Sequence, residues 1–328
     1  MTLTERDRQA LAGVLTDAHF PELPNFQRGK VRESHDLPDG RRIMIATDRQ
    51  SAFDQVLAAV PFKGQTLTQT ARFWFDATAE LCPNHVLEYP DPNVVVGERL
   101  DMLPVEFVVR DYLTGSTETS IWPMYERGGR VAYGHRLPDG LVKNVKLPET
   151  LITPTTKGAA GDHDRPVTAA EIVAAGLMSQ ELWDEAAASS LAIFARGREI
   201  AAERGLILVD TKFEFGLDET GRLVLADEIL TPDSSRYWQA TSYPARHARG
   251  EEPDSLDKEF LRLWIRERCD PYSEPIPEIP GETLLEFSAR YVRLFETVTG
   301  QPFQYPDPEL PVRERVRAAL EKSFPEYF

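Results

Sequence analysis

Residues 208–216, LVDTKFEFG, alternate charge with aromatic bulk: Asp210, Lys212 and Glu214 occupy every second position, with Phe213 and Phe215 between and after them. Successive side chains of a strand point to opposite faces, so the charges share one face and the rings the other. The turn at 218–221 then sends the chain back through LVLADEILTPDSSR. If Leu217 pairs with Arg222, Lys212 faces Asp227; a one-residue slip puts Glu228 there instead. Two carboxylates and an ammonium at this density suit a hard divalent cation beside a nucleotide phosphate. An ion-pair ladder on a solvated sheet face accounts for the spacing equally well.

Five further clusters carry residues suited to anion binding. The exit of the hairpin, TPDSSR, gathers Asp233, Ser234, Ser235 and Arg236, a carboxylate, two hydroxyls and a forked guanidinium of the kind a phosphate monoester takes; a Ser/Thr turn ending a strand is the alternative. RGKVR supplies Gly29, Lys30, Val31 and Arg32 at the start of a hairpin, either a drape over phosphates or a solvated basic turn. In VVRDYLTGS, Arg110 ends an apolar strand just before Thr114, Gly115 and Ser116. The loop TPTTKGAAGDHD carries Lys157, His163 and Asp164, and TDRQSAFD sets Asp48, Arg49, Ser51 and Asp54 at a strand end.

These cations sit in an acidic chain. Its 328 residues hold 53 acidic against 37 basic side chains, a formal charge of -16, which argues against nucleic acid or an anionic membrane as partner. Yet Lys30, Arg32, Arg110, Lys157, Lys212 and Arg236 all fall in turns or at strand ends beside Gly, Ser or carboxylates. A local positive pocket for several small anions, supplemented by a bound cation, is what that placement suggests. The two cysteines, Cys82 and Cys269, have no metal-ligand spacing, and His19, His35, His85, His135 and His247 no partnered spacing. With neither signal-peptide nor membrane-span pattern, the expected setting is cytoplasmic.

The elements that must position these residues run from strands to helices. A polar helix precedes a hairpin turning at Pro38, Asp39 and Gly40; a helix over 66–82, capped by Thr66, and the strands of VVVGERLDMLPVEFVVRDYL follow. Residues 114–167 are loop-rich. The capping box Thr168/Glu171 opens a helical region reaching about 204, and helices at about 254–269, 283–299 and 310–323 close the chain. Strands first and helices last indicate an α+β fold, with an N-terminal β-rich domain over 1–110 and an α+β domain with a helical tail over 111–328. Neither GxGxxG nor a Walker motif occurs.

Taken in order, GKVRES, ATDRQSAFD, PFKGQTLTQTARFWF, LPVEFVVRDYLTGS, TPTTKGAAGDHD and LVDTKFEFGLDETGRLVLADEILTPDSSRYW resemble the SAICAR synthetase family, from about residue 26 to 243. The resemblance implies an N-terminal antiparallel sheet like a kinase small lobe, a larger α+β domain, and ATP between them. It implies ligation of L-aspartate to the carboxylate of carboxyaminoimidazole ribonucleotide through an acyl phosphate, with Mg²⁺ as cofactor. Carried over by position, Gly29, Lys30, Val31 and Arg32 cover the ATP phosphates and Met102 lies at adenine. Lys212 contacts phosphate, while Glu214 and Asp227 hold Mg²⁺. Arg110, Ser116, Ser235 and Arg236 bind the ribonucleotide, with Lys157, Asp54 and Asp233 around the reacting carboxylate and the aspartate. The partners are these three small molecules, with a monomer or small homo-oligomer expected. The competing reading is an ATP-dependent phosphotransferase acting on a hydroxyl.

Overall fold

In the computed structural model, which describes residues 3–53, 55–117, 119–156 and 165–328, the alternating stretch belongs to the twelve-residue strand Leu206–Leu217, central in a seven-stranded sheet. Along one edge it pairs with Asp101–Tyr112. Along the other it pairs first with Ser235–Gln239 and then with Leu223–Ala226. All three pairings are antiparallel. Lys146–Ile152 and Thr155–Thr156 in turn line the far edge of Asp101–Tyr112.

The two faces of this sheet separate as the alternation requires. Phe107, Phe213 and Phe215 are fully buried. The helix Gln180–Glu203 packs along the strand that carries two of them. Its Trp183 stacks on Phe107 with ring centroids 5.0 Å apart, and Phe215 meets Phe107 edge-on at 5.4 Å. Burial on this scale is worth about 2 kcal/mol per ring. It fixes which way Lys212 and Glu214 point.

The first sheet is a five-stranded antiparallel meander in the order Phe26–Arg28, Arg32–Asp36, Arg41–Ala46, Val94–Glu98, Val86–Asp91. The expected hairpin at Pro38 is present, with Gly40 at a φ of 84° that favours glycine. Ile43, Ile45, Val94 and Val96 form one core with Leu15, Phe20 and, from the last helix Val312–Ser323, Val316 and Leu320.

Two compact units result. One is Met1–Phe73, His85–Arg99 and Trp264–Phe328; the other is Trp74–Asn84 and Leu100–Leu263. A single boundary near residue 110 does not describe them. The C-terminal helices belong to the first unit, because the meander needs the apolar faces of Val316 and Leu320 to close its core. The strand Asp101–Tyr112 belongs to the second, where it is half of the longest ladder.

Other elements differ from expectation in detail. The helix expected over 66–82 is Lys63–Thr78, and Thr66 sits inside it, its hydroxyl donating to the Phe62 carbonyl at 2.8 Å. The helical region from Thr168 to about 204 is two helices, Ala169–Ala174 and Gln180–Glu203. Gly176 at φ 67° ends the first, and Ser179 caps the second. The capping box at Thr168 and Glu171 is present. Among the described residues no helix is long and apolar enough to cross a membrane.

Gly64 shows how tightly the first unit is built. Its N–H donates to Asp48 at 2.9 Å, and a Cβ there would lie 2.3 Å from the Ala46 carbonyl oxygen. Gly64→Ala is therefore expected to cost about 3 kcal/mol of stability, read as a lowered urea midpoint with an unchanged slope.

Candidate active site

The polar face of the second unit's sheet is where the sequence-marked charges converge. On the central strand, Asp210, Lys212 and Glu214 alternate; their Cα partners on Asp101–Tyr112 are Arg110, Val108 and Glu106. Asp210 is also the Cα partner of Arg236 on Ser235–Gln239. The cavity over this face, about 280 Å³, is lined among others by Glu106, Arg110, Lys212, Asp233, Arg236 and Lys258.

One end of the cavity is built from arginine. The Oδ2 atom of Asp210 accepts from Arg110 Nη1 at 3.1 Å and from Arg236 Nη1 at 2.6 Å. Arg110 also donates through Nε to Thr153 Oγ1 at 2.8 Å. Arg236 donates through Nε and Nη2 to Glu259 Oε2, each at 3.2 Å. Burial disfavours the Arg236 charge, but Asp210, Glu259 and Asp257 outweigh it and hold the guanidinium firmly protonated. Burial likewise pushes Glu259 up, and Arg236 with Arg262 brings it down to about 2. For Asp257 burial wins, raising its carboxyl to about 7 although the backbone N–H groups of Glu259 and Tyr237 donate to it.

The other end is built from carboxylates around an ammonium. Lys212 Nζ donates to Glu106 Oε1 at 3.2 Å and to Glu214 Oε1. Burial opposes its charge, yet Glu214, Glu106 and Asp227 together raise it well above the ordinary lysine value. It is a fixed cation and no proton acceptor at neutral pH.

The hairpin register corrects one expectation. Leu217 pairs with Leu223 rather than Arg222, and Glu214 with Ala226. The turn therefore holds one residue more, which the Asp218 carboxylate stabilises by accepting the N–H groups of Thr220 and Arg222. Continued, this register would set Glu228 across from Lys212. The ladder instead stops at Ala226, and Asp227 takes a left-handed φ of 61°, which breaks the alternation. Asp227 acts on Lys212 through that turn, not through strand pairing.

The remaining sequence-marked residues are distributed as follows. Ser235 lines the cavity, its hydroxyl 2.8 Å from Thr211 Oγ1, and Asp233 lines it with Oδ2 3.5 Å from Lys258 Nζ. The Ser/Thr turn suggested for TPDSSR is also there, with Ser234 N–H donating to Thr231 Oγ1 at 3.2 Å. Ser116 is not among the residues lining the cavity; it is buried and helps to hold Glu259 in its charged form. Met102 lies opposite Gly216, where a Cβ would come within 2.7 Å of Leu100 Cβ. Gly29, Lys30, Val31 and Arg32 form the turn between the first two strands of the first unit, closed by Gly29 N–H to the Arg32 carbonyl at 2.8 Å. Arg49 holds that turn through the carbonyls of Gly29 and Lys30, at 3.0 and 3.1 Å. Asp54 and Lys157 lie outside the described residues.

Sequence reasoning passed over Glu106, Asp257, Lys258, Glu259 and Arg262. Glu106 had a visible signal, a lone carboxylate inside the apolar run 105–109 and on the same parity as Arg110. The segment LDKEF reads as an ordinary solvated helix start, and nothing local marks Asp257 as fully buried.

Comparison with known proteins gives one answer. The family described as SAICAR synthetase matches residues 25–279. A putative phosphoribosylaminoimidazole-succinocarboxamide synthase 2 of Agrobacterium fabrum is 56% identical over 95% of this chain and 99% of its own. A phosphoribosylaminoimidazole-succinocarboxamide synthase of Legionella pneumophila (strain Lens) is 51% identical over 92% and 96%. Among solved structures, a SAICAR-synthase from Saccharomyces cerevisiae complexed with SAICAR is 30% identical and superposes with a TM-score of 0.75, covering 88% of this chain and 99% of that one. A SAICAR synthetase in complex with ADP, 26% identical, has a TM-score of 0.66 over 86% of this chain and 100% of that one.

Proposed function

The chain belongs to the SAICAR synthetase family, and from that premise we propose how its own residues carry out the ATP-dependent ligation of L-aspartate to carboxyaminoimidazole ribonucleotide in purine biosynthesis. The observation that carries the assignment of roles is the division of one cavity into a two-arginine end and a lysine–carboxylate end. Arg110 and Arg236 receive the 5′-phosphate of the ribonucleotide, since paired guanidiniums present forked donors to a phosphate dianion. Lys212 meets the phosphoryl group in transfer.

The chemistry calls for this arrangement. A carboxylate is a poor electrophile because oxide does not leave. Attack of one carboxylate oxygen on the γ-phosphorus of ATP forms an acyl phosphate and releases ADP. The aspartate amine then adds to the acyl carbon, gives up a proton, and expels inorganic phosphate to leave the amide. Lys212, fixed as a cation, neutralises the transferring phosphoryl oxygens in the first step. Asp233 is assigned to the reacting carboxylate and the incoming amine, a role that the family resemblance also gives to Asp54 and Lys157. Gly29, Lys30, Val31 and Arg32 cover the ATP phosphates, and Met102 contacts the adenine. Holding three anionic substrates together removes much of the entropy of encounter. We assign the reaction to the cytoplasm.

The donor set fits Mg²⁺. Among the described residues no three His, Cys, Asp or Glu side chains converge as a self-sufficient metal cage. A magnesium ion characteristically takes one or two carboxylates and completes its shell from substrate phosphates and water. Glu214 and Asp227, both acting on Lys212, would supply the carboxylates. When bound, the ion supplies charge neutralisation at the phosphates. Glu214→Gln and Asp227→Asn are each expected to raise the Mg²⁺ concentration for half-maximal rate by roughly tenfold or more, measured by Mg²⁺ titration at fixed ATP with the circular dichroism spectrum unchanged.

Isotope transfer tests the acyl-phosphate step. Ribonucleotide labelled with ¹⁸O in its carboxylate should pass one labelled oxygen to the inorganic phosphate released. Phosphate free of label would exclude that step.

A further inference from the structure

The geometry points to Asp210 as a positioning residue that holds the Arg110 and Arg236 guanidiniums at the spacing of a single phosphate dianion. The inference rests on the ribonucleotide-phosphate role proposed above for the two arginines, and goes beyond it by assigning the group that sets their separation.

Asp210 lies on the central strand with an arginine as Cα partner on each side, Arg110 and Arg236. The pairing with Arg236 follows an irregularity between Leu208 and Asp210. A single oxygen, Oδ2, accepts from Nη1 of both guanidiniums, at 3.1 and 2.6 Å. Each arginine is then fixed a second time from behind, Arg110 by Thr153 and Arg236 by Glu259. Asp210 is 3% exposed, so its carboxylate is screened from solvent and committed to these partners. Two unbridged guanidiniums repel one another. A carboxylate between them fixes one edge of each and leaves further donors for a ligand.

The sign of one substitution separates this role from simple charge balance. Asp210→Asn keeps the shape and removes one negative charge. If Asp210 only offset the arginines, its loss would raise the local positive potential and tighten binding of a phosphate dianion. If it positions them, binding weakens, because the Asn oxygen is a weaker acceptor for two cations and the guanidiniums separate.

Calorimetry with the ribonucleotide and with its dephosphorylated nucleoside gives the readout. For Asp210→Asn we expect the Kd and KM for ribonucleotide to rise about tenfold or more, as loss of charge-assisted hydrogen bonds implies. The nucleoside Kd and the KM for ATP should stay within twofold, with kcat changed far less than KM. An unchanged or lower ribonucleotide Kd overturns the inference. Arg236→Gln, measured alongside, separates the two layers of the argument. If that variant also leaves the ribonucleotide-to-nucleoside ratio intact, the phosphate role itself falls. If it collapses the ratio while Asp210→Asn does not, only the positioning role falls. Should Asp210→Asn fail to fold, Asp210→Glu carries the same test, keeping the charge while displacing the carboxylate by one methylene: a weakened ribonucleotide affinity is expected, and an unchanged one overturns the inference.

Discussion

Lys212→Met is expected to lower kcat by roughly 10²–10³-fold, the usual cost of removing one preorganised charge from a site of phosphoryl or acyl transfer. The KM for ribonucleotide should change little, because its phosphate is assigned to the arginine end of the cavity. Lys212 is surrounded by Glu214, Glu106 and Asp227, which keep it protonated across the physiological range. Its contribution is therefore a fixed positive charge, and Lys212→Arg should retain more activity than Lys212→Met despite the different shape. Removing the ammonium also leaves Glu106 and Glu214, Cα partners across the sheet, facing one another without a cation between. Some loss of stability will accompany the loss of rate. Single-turnover ADP release by folded protein, identified by its near-UV circular dichroism, separates the two. A variant that is folded and turns over at the wild-type rate would remove Lys212 from the mechanism.

Arg236→Gln should act on binding rather than on chemistry. Truncating one partner of a buried, hydrogen-bonded charge pair costs about 2–5 kcal/mol, so the KM for ribonucleotide should rise by roughly 10²-fold while kcat at saturation stays within about tenfold. The same change strips Asp210 and Glu259 of a shared cation, and both are buried. Asp210 keeps Arg110 and Glu259 keeps Arg262, so compensation is lost only in part and a stability loss of about 1–3 kcal/mol is expected, visible as a lowered denaturant midpoint. The two effects are distinguishable, because excess ribonucleotide restores rate only if the lost contact is to the ligand. A raised KM for ATP with an unchanged KM for ribonucleotide would reverse the assignment of the two ends.

How much of this was written in the sequence depends on the range of the interaction. Alternation is local, and the separation of Lys212 and Glu214 from Phe213 and Phe215 follows from strand geometry alone. The hairpin was legible too, but not its register. That is set by a five-residue turn whose length depends on Asp218 accepting two backbone N–H groups, and by a left-handed Asp227. A one-residue difference in turn length reverses which carboxylate faces Lys212, and the left-handed backbone then reverses it again. The partners of the arginines were less visible still. Glu259 reaches Arg236, and Asp257 the Tyr237 N–H, from beyond the strand's end, and their sequence resembles any solvated helix start. The return of residues 264–328 to the first unit is a long-range packing fact, decided by which apolar face remained uncovered on the meander.

The most direct test of the central claim is a coupled assay of ADP release with ATP, Mg²⁺ and carboxyaminoimidazole ribonucleotide, run with and without L-aspartate. The ligase reading predicts ADP in proportion to succinocarboxamide formed, and sustained release only when aspartate is present. Sustained ADP release that ignores aspartate and yields a phosphate ester of a hydroxyl would contradict it and leave a phosphotransferase in its place.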